Sequence, residues 1–229
     1  MPKNPRMGTL YLVRHGQASF GADDYDRLST LGWRQALRLG EYFKTKDVAF
    51  DVVLTGTLRR HLETWNAIRE GGGFAVEPQI WPGLDEYDAA AVIAAIHPQA
   101  LPHPDSPEAY RRHFRLLRDG LTQWMAGVVS PRGMPSYPEF VRGVTSALDH
   151  VRTSCPGGRV LIVSSGGPIS TAVGHTLGTP AETTIELNLR IRNASITEFA
   201  VTPRHHRLVT YNTLPHLDAP QYADWVTYA

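Results

Sequence analysis

Short apolar runs alternate along this chain with longer stretches in which apolar positions recur every three or four residues. Thr9 to Val13 (TLYLV), Asp51 to Leu54 and Arg159 to Ser164 are rich in aliphatic and β-branched side chains, the pattern of short strands buried on both faces. Phe74 to Ile80 reads as a further strand, and Ser195 to Val201 and Arg207 to Tyr211 read as the last two. Between the runs the period changes. Ser29-Thr30-Leu31-Gly32 opens a segment with apolar Ala36, Leu37, Leu39 and Phe43, and Thr55-Gly56-Thr57 turns into a second that runs through Ile68. Gly166-Gly167-Pro168 leads into a third, to about Leu177. These spacings predict helices. Strands alternating with helices predict an α/β fold, a mostly parallel sheet sandwiched between helices.

The middle of the chain breaks the rhythm. His97 to Pro107 contains Pro98, Pro102, Pro104 and Pro107, and Ser106-Pro107-Glu108 then offers a helix cap, an N1 proline and an early acid. Tyr110, Phe114, Leu117, Leu121 and Trp124 follow at helical spacing. Ser136 and Glu139 have capping-box spacing and open another helix, with Phe140, Val144, Leu148 and Val151 on its apolar stripe. Residues 1–229 are read as one domain, with about 88–135 a helical insertion or lid over the sheet edge. Arg111, Arg112, Arg115 and Arg118 read as the solvated face of its helix, with a substrate-facing role as the alternative.

Composition narrows the partners. With 229 residues, 42% hydrophobic and 20% charged, the chain is ordinary globular material. Its 23 Lys+Arg against 22 Asp+Glu give a net charge of +1, so no global field recommends nucleic acid or an anionic membrane. Any anion must be bound by local placement of cations. Cys155 is the only cysteine, so no internal disulfide and no Cys-rich zinc site is expected, and a cytoplasmic, reducing compartment is the natural reading. The apolar runs are too short to span a bilayer. His97, His103, His113, His205 and His206 lack metal-ligand spacing, so neither a metal nor a cofactor is expected.

The chemistry gathers at strand ends. Arg14 and His15 leave the first strand, Arg60 sits just inside the helix after the second, and Glu86 follows the third. Ser164-Ser165-Gly166-Gly167 follows the strand at 159–164. In an open parallel sheet the loops at the carboxyl ends of strands meet in one crevice. Two guanidiniums, an imidazole, a carboxyl and the amides of a helix N-terminus would then converge. Guanidiniums grip phosphate oxygens in forked geometry, and helix-start amides add donors and a favourable dipole.

Leu10-Tyr11-Leu12-Val13-Arg14-His15-Gly16-Gln17 resembles the RHG signature of the histidine phosphatase superfamily, which includes the cofactor-dependent phosphoglycerate mutases. Leu28-Ser29-Thr30-Leu31-Gly32 resembles the family's L-[ST]-x-x-G segment. Leu54 to Arg60, continuing to Thr64, is similar to the stretch that holds the second phosphate arginine, and the spacing back from Thr64 selects Arg60 over Arg59. Leu84-Asp85-Glu86-Tyr87 is similar to the acid segment, Val163 to Gly167 to V-x-S-H-G-G, and Asn212 to Leu217 (NTLPHL) to the closing N-D-T-x-H-L element. The resemblance implies that His15 attacks phosphorus and that Arg14 and Arg60 hold the phosphoryl oxygens, with Gln17, Ser165 and Gly166 also at the phosphate. It implies that Glu86 protonates the leaving alcohol and later activates water; among the neighbouring residues Asp85 is the fallback acid.

Two departures bear on activity. Ser165 stands where the family has its second histidine, and Ala18 where it commonly has a hydroxyl. Losing one preorganised donor costs about 3–4 kcal/mol of transition-state stabilisation. His61, beside Arg60, is the nearest residue in sequence that could substitute. A metal-independent phosphomonoesterase on a small phosphate ester, of low activity, is the leading expectation. A phosphoglycerate-type phosphomutase is the first alternative, and a catalytically weak phospho-ligand-binding or interaction protein the second. Self-association is left open. A serine hydrolase is disfavoured because Val163 occupies the first glycine position of G-x-S-x-G.

Overall fold

The computed structural model describes residues 7–19, 26–99, 101 and 105–228; much of the Gly- and Asp-containing loop after Gly16, and Pro102, His103 and Pro104, lie outside them. Six strands, β1 (Gly8–Arg14), β2 (Val52–Thr55), β3 (Gln79–Ile80), β4 (Arg159–Ser164), β5 (Ile196–Val201) and β6 (His206–Thr213), form one sheet in the order β3-β2-β4-β1-β5-β6. The first four in that order run parallel, while β5 is antiparallel to both β1 and β6. The mostly parallel α/β architecture expected from the alternation is present.

The strands read as unbroken apolar runs because both faces are covered. Leu10, Leu12, Leu54, Val160 and Ile162 point into one layer, and Val13, Val53, Leu161 and Val163 into the other. The second layer is made by α1 (Thr30–Thr45) and α2 (Arg59–Gly72), through Ala36, Leu39, Phe43, Trp65 and Ile68. The first is made by α3 (Ala89–Ile96), α4 (Pro107–Met125), α5 (Tyr137–Ser154), α6 (Gly166–Leu177) and α7 (Ala181–Arg190), with Trp124, Phe140 and Val144 among the buried contributors. Each fully buried Leu, Ile, Val or Phe contributes about 1.5–3 kcal/mol relative to exposure, so the two layers fix the sheet between them.

Helix starts follow their sequence signals. Ser29 Oγ accepts from Gly32 N at 3.0 Å, Ser106 Oγ accepts from Ala109 N at 3.2 Å, and the Glu139 carboxylate accepts from Ser136 N at 2.8 Å. The expected third strand is shorter than 74–80: only Gln79 and Ile80 pair with β2. Phe74 instead stacks on Trp65, centroids 6.2 Å apart, and meets Phe50 edge-on at 5.1 Å. That anchoring keeps the chain on the helical layer, and Pro78 has no N–H for a ladder. Helix α7 was not anticipated, because Thr183, Thr184 and Ile185 are β-branched and weaken its helical signature. No helix among the described residues is long and apolar enough to cross a membrane.

Register decides where the chemistry emerges. Arg14 pairs with Ser164, and Thr55 pairs with Val163. The residues that follow, His15, Ser165 and Gly56, therefore leave the sheet side by side.

Candidate active site

His15 is 4% exposed, and its main chain is pinned on both sides. Its N–H donates to Ser164 O at 2.9 Å, and its carbonyl accepts from Ala194 N at 3.1 Å and Asn193 Nδ2 at 3.3 Å. Ring Nδ1 lies 2.7 Å from Gly16 O. A carbonyl only accepts, so Nδ1 carries the proton and Nε2 keeps its lone pair. Burial, then the positive fields of Arg14 and Arg60, hold the imidazole well below its usual protonation range. The ring is held neutral, with an unprotonated nitrogen whose direction is set by the backbone.

The two guanidiniums are fixed from different directions. Arg14 Nη1 donates to Ile191 O at 2.6 Å and also to the carbonyl of Tyr228, near the far end of the chain. Arg60, on the first turn of α2, is buried and pairs through Nη1 with Asp26 Oδ1 at 2.7 Å. Thr64 Oγ1 donates to Arg60 O at 2.7 Å and accepts from Gly16 N at 3.0 Å, which locks α2 onto the loop after His15. Arg59 turns outward to Glu63 at 2.7 Å and is half exposed. The helical phase thus separates the two adjacent arginines.

Glu86 reaches the start of α6. Both carboxylate oxygens lie 3.2 Å from Gly167 N, and Tyr87 N donates to Oε1 at 3.2 Å. Burial raises its pKa above the usual carboxylate range, against the opposing effects of Gly167 N–H, Arg60 and Arg14. A carboxyl so placed can hold a proton for delivery. The approach depends on glycine: a Cβ at Gly167 would fall 2.1 Å from Glu86 Oε1. Asp85 has a different engagement, accepting from Thr57 N at 2.6 Å and from Thr57 Oγ1, and so fixes the turn after β2.

The remaining residues singled out in the sequence divide. Gln17 turns its side-chain oxygen to Ser29 Oγ at 2.8 Å, tying the loop after His15 to the cap of α1. Gly166 opens α6 against Asn188 and Ile191, and the amide engaged by a carboxylate is that of Gly167. Ser165 occupies the cap position of α6 but makes no capping bond with its side chain. Its Oγ lies 2.7 Å from His61 Nε2, with both residues fully buried. The His61 ring centroid is 5.9 Å from that of His15. Two features escaped sequence reasoning: that His61 reaches Ser165, and that the C-terminal segment reaches Arg14. The first had a signal, since His61 shares its helical phase with Thr64, Trp65 and Ile68, all buried. Arg14 and Arg60 act on both His15 and Glu86, so the arrangement offers an anion grip, a nucleophile and an acid in one place.

Comparison with known proteins gives the family and the fold. The family model of the histidine phosphatase superfamily (branch 1) matches residues 10–214. A probable phosphoglycerate mutase GpmB from Cronobacter sakazakii is 27% identical over 228 residues, covering 92% of this chain and 95% of that protein. Among solved structures, a phosphoglycerate mutase from Bacillus anthracis is similar at a TM-score of 0.65 and 18% identity, covering 93% of this chain and 96% of that one. A phosphoserine phosphatase mutant from Entamoeba histolytica, in complex with phosphoserine, is similar at 0.62 and 19%, covering 92% and 99%. A mycobacterial glucosyl-3-phosphoglycerate phosphatase is similar at 0.62 and 22%, covering 90% and 98%.

Proposed function

Since the chain belongs to the histidine phosphatase superfamily, we propose that it is a metal-independent phosphomonoesterase acting through a phosphohistidine at His15 on a small phosphate ester. The observation that carries this reading is the His15 ring. Its Nδ1 is bound to Gly16 O at 2.7 Å, its other nitrogen is free to attack, and burial, reinforced by two arginines, keeps it unprotonated. In the first step the P–O bond to the alcohol breaks, the P–Nε2 bond forms, and the Glu86 carboxyl gives its proton to the departing oxygen. In the second, Glu86 takes a proton from water as that water attacks phosphorus. The P–N bond breaks, and inorganic phosphate leaves a neutral imidazole. Arg14 and Arg60 hold the phosphoryl oxygens throughout, supplying the fixed positive charge on which such transfers depend. A cytoplasmic location suits the lone thiol of Cys155.

Phosphomutase activity is the second reading, favoured by the likeness to the Cronobacter protein. It requires the phosphoenzyme to outlast attack by water until a second alcohol arrives.

Rapid-quench labelling with an aryl phosphate tests the proposal. Acid-labile phosphate on His15, turnover that ignores chelator, and loss of both in His15→Ala are expected. Activity that survives His15→Ala, or vanishes with chelator, refutes the mechanism. A folded wild type with neither label nor turnover would make the chain a binding protein.

A further inference from the structure

We propose that His61 is a positioning residue acting through Ser165: a phosphoryl group entering the site meets a serine hydroxyl turned toward it by a doubly protonated imidazole. The inference rests on the reading that the phosphate site lies at His15, and it concerns how that site responds to a dianion.

Ser165 stands at a helix cap, where a serine side chain ordinarily binds the second or third amide of its own helix and contributes about 1 kcal/mol. Here it makes no such bond, and the Glu86 carboxylate takes the amide of Gly167 instead. Ser165 Oγ is held by His61 Nε2 at 2.7 Å, with both residues fully buried. The opposite ring nitrogen, His61 Nδ1, is buried without a hydrogen-bond partner, and Asp85 Oδ1 lies 3.8 Å away. The turn at Gly56 leaves room for this approach, since a Cβ there would sit 2.3 Å from His61 Nδ1 and 2.4 Å from Asp85 Oδ1. A carboxylate, an imidazole and a hydroxyl thus follow one another beside His15, whose ring centroid lies 5.9 Å from that of His61.

Charge decides which way the hydroxyl points. Burial, and then Arg60, push the His61 pKa down to about 3, so the ring is neutral. The Asp85 carboxylate favours the proton on Nδ1 of that neutral ring, so Nε2 accepts and the Ser165 hydrogen points away from the pocket. The charged and titratable groups set against the ring are His15 just after β1, Arg60 on its own helix and Asp85 before α3; behind them Arg14 acts on His15, Asp26 pairs with Arg60, and Glu86 feels both arginines. A phosphoryl dianion on Arg14 and Arg60 offsets the Arg60 field at His61 and adds its own attraction for a proton there, against the burial that opposes the charge. One proton then enters from solvent, and the imidazolium donates from Nε2 to Ser165 Oγ while its charged Nδ1 edge faces the Asp85 carboxylate at 3.8 Å. The serine hydrogen is released toward a phosphoryl oxygen. Positive charge reaches the phosphoryl group at one remove.

Inorganic sulfate, a dianion across the neutral range, is the probe. Calorimetric titration of the wild type and His61→Gln at pH 7, in two buffers of different ionisation enthalpy, counts the protons taken up. The wild type should take up about one proton more per site than the variant, and its sulfate affinity should weaken with rising pH where that of the variant stays flat. Equal uptake overturns the proposal. If His61→Gln does not fold, ring-nitrogen NMR of the wild type decides: one buried histidine should become doubly protonated on adding sulfate, and no such change overturns the proposal. In turnover, His61→Gln should cost nothing further once Ser165→Ala is present, and an additive loss counts against action through Ser165. None of the sulfate readings requires a phosphohistidine. Labelling that fails at His15 while uptake persists sinks the phosphatase reading alone, and the converse sinks this one alone. Failure of sulfate to bind removes the phosphate site and both readings with it.

Discussion

Gly167→Ala should separate stability from catalysis in this protein. The added Cβ would stand 2.1 Å from Glu86 Oε1 and 2.7 Å from the Cδ1 and Cε1 atoms of Tyr87, whereas ordinary contact begins near 3.4 Å. The helix backbone is the rigid partner and the carboxylate the far end of a movable side chain, so Glu86 retreats by about 1 Å. Alanine is a better helix former than glycine by about 1 kcal/mol, which offsets part of an overpacking cost of about 1–3 kcal/mol. The net destabilisation should be no more than about 2 kcal/mol, a fall in Tm of about 4–8 °C for a chain of this size. The effect on chemistry is larger, because a misplacement of about 1 Å in a reacting group costs about 100-fold in rate. The loss should fall on alkyl phosphates, whose alkoxide needs a proton, and spare nitrophenyl phosphate, whose phenolate leaves unaided. Steady-state kinetics on both ester types, beside a melting curve and a sulfate titration, provides the test. Sulfate affinity, set by Arg14 and Arg60, should stay within about threefold. A folded variant that hydrolyses alkyl phosphates as fast as wild type would show that Glu86 is not the proton donor, or that Gly167 does not place it.

Two further outcomes are expected. Arg60→Ala should weaken sulfate binding about 10- to 100-fold, since a charged hydrogen bond contributes about 1.5–3 kcal/mol, while Arg59→Ala should change it less than twofold, its exposed pair with Glu63 contributing under about 1 kcal/mol. Stability should fall on acidification: His61 and His216 are buried with pKa values pushed down to about 3, so the native state refuses protons that the unfolded chain binds below its ordinary histidine pKa. Stability is therefore intact above about pH 6.5 and is lost as pH falls toward 3, at about 1.4 kcal/mol per unit for each ring, or about 4 kcal/mol for the pair by pH 5. Urea titrations at pH 7, 6 and 5 measure this, and a midpoint that does not move would refute it. His216→Phe should lessen the slope.

The two-sided burial of the sheet made its strands legible, because Val160 to Val163 can be apolar at every position only between two helical layers. Strand-end logic then brought His15, Arg60, Glu86 and Ser165 to one edge without knowledge of any distance. What was not legible depended on direction rather than on residue type. Gln17 lies next to the RHG triplet, yet its side chain serves the cap of α1. Asp85 and Glu86 are neighbours in sequence, but one fixes the turn at Thr57 and the other meets Gly167. The stretch from Phe74 to Pro78 has strand-like composition, but an aromatic contact with Trp65 holds it on the helical layer. Long-range partnerships were the least accessible, since nothing near Arg14 announces a carbonyl 214 positions away.

That carbonyl ties the readiness of the site to the order in which the molecule comes together. Arg14 is held by Tyr228 O, Gln35 Nε2 by Trp225 O at 2.6 Å and Thr227 Oγ1 at 2.9 Å, and Asn193, which also supports His15 O, by Thr227 Oγ1 at 2.9 Å. During synthesis the sheet strand that leads to His15 is made well before the residues that steady its arginine. Contacts of such sequence separation are slow to form in folding, and a segment held by a few hydrogen bonds outside the core opens readily by local unfolding. A molecule in which residues 225–228 have come loose would keep its core and its strands while losing one of the carbonyls that hold the Arg14 guanidinium. Hydrogen exchange at residues 225–228 should therefore follow the fraction of active molecules more closely than exchange in the sheet does.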